Sequence, residues 1–151
     1  MTLKAGVVLA GVLSLACGGG GTSGPTGVGP VRSVGGDYTM AVELTENGCG
    51  AVTVLPLPTR VAHSPGAMQF DLTHGPATYS GTFDGAGGGA FRTAARTFSD
   101  AVSTQVLHIE GRFVVSGLEA VVTVDQSAPA PACRYLVRWT GTKVGSPNVI
   151  P

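Results

Sequence analysis

The chain has 151 residues, enough for one ordinary domain once a leader is set aside, and its charge is sparse at 12% and balanced to a formal net of zero. The basic side chains beyond the leader are interleaved with acids, so no basic stripe exists to displace counterions, which excludes a nucleic-acid binder. Twenty-four glycines and ten prolines, beside 43% hydrophobic residues, argue against long helices and for a turn-rich β protein with its own core.

The first element is a leader. Lys4 supplies a short positive region, and residues 5–16, "AGVVLAGVLSLA", follow without a charge. About a dozen such residues suit a secretory signal and fall short of the roughly twenty that a membrane-crossing helix needs. The small residue Ala16 stands directly before Cys17, and "VLSLAC" resembles the lipobox of bacterial lipoproteins. The resemblance implies that residues 1–16 are removed as a lipoprotein signal peptide and that Cys17 becomes a lipidated first residue. Two or more acyl chains then anchor the protein stably, since each buried methylene contributes about 0.8 kcal/mol. Gly18, rather than aspartate, follows the cysteine, which implies passage to the outer membrane of a Gram-negative cell. The domain would then stand in the periplasm or at the cell surface. "GGGGTSGPTGVGP" (18–30) has nothing to bury, so residues 17–35 are expected to form a flexible linker between lipid and domain.

Strands follow in order. "DYTMAVELT" alternates, with Tyr38, Met40, Val42 and Leu44 on one face. "AVTVLPLPTRVAHSPG" is broken by Pro56 and Pro58, which cannot donate to a ladder, and predicts a loop with one short strand near 60–63. "AMQFDLTH" turns Met68, Phe70 and Leu72 inward, and "ATYSGTFD" does the same for Tyr79, Gly81 and Phe83. In "GAFRTAART" Phe91 is the inward residue, with Arg92 and Arg96 outward. "STQVLHIEGRFVV" places Leu107, Ile109, Gly111 and Phe113 inside, and "EAVVTVDQ" Ala120, Val122 and Val124. "CRYLVRWTGTK" sets Cys133, Tyr135, Val137, Trp139 and Gly141 on one side. Turns are expected at 74–76, 84–89, 116–118 and 127–132.

This predicts an all-β domain over 36–143: a single antiparallel meander of about eight strands closed into a β-barrel, with 144–151 as a disordered tail. Three segments, "YSGTF", "IEGRF" and "RWTGTK", repeat an inward residue followed two later by glycine, as where a sheet curls tightly. A β-sandwich is the alternative fold, although no long crossover is visible after Ala67. In pattern the domain resembles the small up-and-down barrels of the lipocalin-like and avidin-like kind.

Three cysteines leave one over when two pair, and Cys17 accounts for it. Export places Cys49 and Cys133 in an oxidising compartment, where they are expected to form a disulfide. Closing a loop of about 85 residues contributes roughly 4 kcal/mol in the chain-entropy account. Cys49 follows the first strand and Cys133 opens the last, so the bridge makes those two strands neighbours.

An eight-stranded barrel is either filled by side chains or holds one small ligand, and the inward residues leave both open. In a hollow barrel Tyr38, Tyr79, Tyr135 and Trp139 are the expected lining, offering flat apolar area with hydroxyl and indole donors. His63, His74 and His108 form no metal-ligand spacing and are expected at the solvated surface, with no metal site or cofactor. No G-x-S-x-G, nucleophile–base pair or inward carboxylate pair is present, so an enzyme is the least supported class. The remaining classes are a binding module for a small apolar or aromatic compound, an envelope protein-interaction module such as a periplasmic hydrolase inhibitor contacting its partner through loops 49–58 and 84–89, and a structural envelope protein.

Overall fold

The computed structural model describes residues 30–85, 87–128 and 131–151. The expectations for the leader, Cys17 and the first part of the linker lie outside the described residues. Nine strands follow one another: β1 (Gly36–Asn47), β2 (Thr59–Ala62), β3 (Gln69–His74), β4 (Ala77–Phe83), β5 (Ala90–Thr93), β6 (Arg96–Ser99), β7 (Thr104–Val114), β8 (Gly117–Ala128) and β9 (Cys133–Lys143). Every pairing is antiparallel, and each strand pairs with its successor except where β5 and β6 share β7. β5 takes Glu110 to Arg112 of β7 and β6 takes Thr104 to Leu107, so the two are halves of one interrupted stave. Eight staves result, and β1 pairing with β9 closes them into a barrel rather than a sandwich.

The seam between β1 and β9 runs from Tyr38 opposite Lys143 to Asn47 opposite Tyr135, with a bulge between Leu44 and Glu46. The Cys49–Cys133 disulfide sits at its far end, joining residues 84 apart in sequence across a Cα separation of 5.1 Å. Side-chain alternation drives the closure. Residues of one parity meet inside, and those of the other parity form outward cross-strand ion pairs: Arg112–Glu119, Arg134–Asp125, Arg138–Glu43 and Arg60–Asp37. This is where the interleaved charges of the sequence go. Each pair is exposed, so together they fix register more than they add stability.

The interior has two unlike halves. At the end where β1 begins and β9 finishes, Phe70, Phe83, Phe91 and Phe113 pack ring to ring, with Phe113 centroids 5.2 Å from Phe70, 5.8 Å from Phe83 and 4.9 Å from Phe91. Gly81 makes room for this cluster, because a Cβ there would stand 2.2 Å from the Phe70 ring. At Gly111 a Cβ would stand 2.4 Å from the Glu119 carbonyl, so the repeated inward glycine permits close approach of neighbouring strands.

Both chain segments flanking the barrel plug this end. Ser33 and Val149 exchange backbone hydrogen bonds at 3.0 and 2.9 Å, and Val34 and Asn148 are buried. Asn148 donates from Nδ2 to the Val114 and Gly117 carbonyls and accepts at Oδ1 from the Tyr38 hydroxyl, 2.8 Å away. The Arg32 guanidinium covers the Phe83 face at 4.0 Å and donates to the Gly85 carbonyl at 2.9 Å. The expectation of a disordered tail over 144–151 is therefore corrected, as is that of a linker reaching to 35. Both segments are short, yet they carry the groups that seal the barrel.

The assignments of Met68 and Arg96 also change. Met68 stands just before β3 and is 42% exposed, because the ladder starts one residue later. The break at Ala94 and Ala95 shifts the alternation by one, so Arg96, expected outward, turns toward the interior with Phe98. Arg96 is half-buried, with its guanidinium 4.8 Å from the Phe98 ring centroid and 5.7 Å from that of Tyr79.

Candidate ligand-binding cleft

The opposite half of the interior is less closely filled. A half-open cleft of about 160 Å³ lies among inward residues at the end where β1 finishes and β9 starts. β9 contributes Tyr135, Val137 and Trp139, and β8 contributes Val122 and Val124. His74, Tyr79, Leu107 and Val42 complete the staves. Val54 and Leu55 reach in from loop 48–58, which crosses this mouth. The loop is held at its start by the disulfide and by Gly48 donating to the Arg134 carbonyl at 2.8 Å, and at its end by Pro58 accepting from Gly75 N–H at 2.9 Å.

Local sequence explains how these side chains come together. Alternation along β9 puts Tyr135, Val137 and Trp139 on one face, and register sets Trp139 opposite Val42 of β1 and Ala120 of β8. The turn between β3 and β4 uses Gly75 at φ +55°, a conformation suited to glycine, followed by Pro76. It sets His74 opposite Ala77 and leaves Tyr79 two residues further along the same face.

His74 is the residue that sequence reasoning missed. It is only 8% exposed, and its ring lies over Trp139 with centroids 4.2 Å apart and planes at 34°. Its position was legible: Phe70, Leu72 and His74 share one parity, and continuing that alternation one step turns His74 inward. His63 is half-buried. His63 accepts from Val34 N–H at Nδ1 over 3.3 Å and meets the Phe83 ring edge-on at 5.5 Å.

Of the four aromatic residues expected to line a cavity, Tyr79, Tyr135 and Trp139 meet in the cleft. Tyr38 does not. It belongs to the plug, where its hydroxyl lies 2.6 Å from the Val34 carbonyl and burial pushes its phenol far above the usual value.

The electrostatics of the cleft are neutral. Burial lowers the His74 pKa, which keeps the imidazole uncharged at pH 7. Burial raises Tyr135, and raises Tyr79 against the pull of Arg96, with the neighbouring Tyr135 adding to the rise. Among the described residues no carboxylate, lysine or arginine lines the space. Such a surface binds by dispersion and exclusion of water, and its few polar atoms orient what enters. Compared with protein-family models, curated proteins and solved structures, the chain has no match.

Proposed function

We propose that this chain is a membrane-anchored envelope lipoprotein whose barrel, of the lipocalin-like kind, binds a small apolar or aromatic guest without catalysing a reaction. One observation carries the binding reading: the interior away from the phenylalanine cluster opens into a cleft of about 160 Å³ that gathers Trp139, Tyr135, Tyr79 and His74. A structural module needs no such asymmetry, and a core left unfilled costs stability unless something occupies it.

The anchor rests on the lipobox-like "VLSLAC" with Cys17 as its lipidated residue, and the outer membrane on Gly18 after it. The described chain enters at the plugged end through Arg32 and Val34. A tether from Cys17 would hold that end toward the membrane and leave the cleft facing away, open to solutes.

A second reading, a protein-interaction module, is favoured by Leu55, which is 63% exposed on the loop across the mouth. Mass spectrometry of the native, detergent-extracted protein separates the two. The expected result is a mature chain starting at Cys17 with acyl chains, an intact Cys49–Cys133 bridge and a retained small guest. A mature form starting elsewhere without lipid would end the anchor. A co-purifying protein with no small guest would favour the interaction module.

A further inference from the structure

The volume of the cleft, about 160 Å³, is close to the ~150 Å³ of an engineered cavity that takes up a single benzene. A single ring matches that volume. The walls against which the ring would lie are Trp139, Tyr135 and the β8 valines.

The hydrogen bonds around His74 say more. Thr59 Oγ1 lies 3.1 Å from the Leu57 carbonyl and 2.6 Å from His74 Nδ1. A carbonyl only accepts, and a hydroxyl has one proton to give. Giving that proton to Leu57 and letting Oγ1 accept from Nδ1–H is the one assignment that satisfies the Leu57 carbonyl and the ring nitrogen together, and in the tautomer so assigned the neutral ring carries its lone pair on Nε2. Nε2 has no partner among the described residues. Among the described residues the fully buried side-chain polar atoms without partners are Arg32 Nε and Ser103 Oγ, so Nε2 keeps some exposure, and the cleft is the space that His74 lines. An accessible acceptor on an apolar wall selects for a donor. Thr59 from β2 and Trp139 from β9, both uncharged, pack on His74, and among the described residues the titratable groups that line the cleft beside it are the phenols of Tyr79 and Tyr135, with Arg96 standing 5.7 Å from the Tyr79 ring.

Resting on the ligand-binding reading, we propose that the cleft is selective for a neutral, single-ring aromatic compound carrying a hydrogen-bond donor, of the phenol class. Its ring lies against Trp139, and its hydroxyl donates to His74 Nε2. A carboxylate on the same ring is disfavoured, because among the described residues no positive charge lines the cleft to replace its water, Arg96 reaching only as near as 5.7 Å from the Tyr79 ring.

Trp139 is the only tryptophan in the chain, so its emission reports the cleft directly. The full-length protein is titrated with phenol, toluene and benzoate, exciting at the red edge of tryptophan absorption where the probes are transparent. Phenol is expected to bind about ten-fold more tightly than toluene, with benzoate weakest. In His74→Leu the preference for phenol falls to near unity while toluene still binds. In Thr59→Val, which keeps the imidazole and frees its tautomer, the preference narrows. Equal binding of phenol and toluene to the unmodified protein, or tighter binding of benzoate, would overturn the donor selectivity and leave the binding reading standing. No response to any of the three would overturn both.

Discussion

Replacing Cys49 and Cys133 together by serine is expected to lower the unfolding free energy by about 2–5 kcal/mol. The bridge joins residues 84 apart at the seam where the first strand meets the last, the most distant pairing the meander has to make. Without it the unfolded chain regains the freedom of that large loop, while the native seam keeps its backbone ladder. Denaturant titration should show the midpoint fall in step with the loss. Amide exchange should quicken first near Asn47 and Tyr135, the paired residues nearest the bridge. The disulfide holds the start of loop 48–58, so the roof of the cleft loosens in the same variant. An unchanged midpoint would mean that the ladder alone closes the barrel.

Phe113→Ala is expected to cost about 3–5 kcal/mol, the range for an aromatic side chain deleted from a well-packed core. Phe113 is 2% exposed and meets the rings of Tyr38, Phe70, Phe83 and Phe91. Those neighbours are held by separate strands and by the plug, so they cannot collapse into the gap. Tyr135→Phe, in the half-open cleft, removes a hydroxyl that has no partner among the described residues and is expected to change stability by less than about 0.5 kcal/mol. Thermal unfolding of the two variants side by side measures the contrast. Similar losses in both would contradict the division of the interior into a solid half and a hollow half.

Much of this fold was legible because period-two alternation survives in almost every strand. Tyr38 and Met40 in β1, Ile109 and Phe113 in β7, and Val137 and Trp139 in β9 are buried as their parity demands. The cysteine positions carried the topology, since a bridge from the end of the first strand to the start of the last implies their adjacency. Legibility failed where one residue changed the phase. The interruption at Ala94 and Ala95 contains no proline or glycine to mark it, yet it moves Arg96 from the outside toward the Tyr79 and Phe98 rings.

The site was legible in composition and only partly in place. Parity says which residues point inward; it does not say at what height along the barrel they lie. Tyr38 and Trp139 share the inward face, but Tyr38 opens β1 at the plugged end and Trp139 lies toward the cleft. The plug itself was invisible to periodicity. Arg32, Val34 and Asn148 act through a few specific hydrogen bonds and one ring contact, in segments whose composition resembles a linker. His74 was read by residue type when its alternation with Phe70 and Leu72 was the stronger signal.

The asymmetry of the interior is tested most directly by diffraction from crystals held under xenon pressure, since xenon enters apolar space that side chains leave empty. The expected result is a xenon atom against Trp139 and the β8 valines, with none among Phe70, Phe83, Phe91 and Phe113. Xenon among the phenylalanines, with the space beside Trp139 closed, would contradict it.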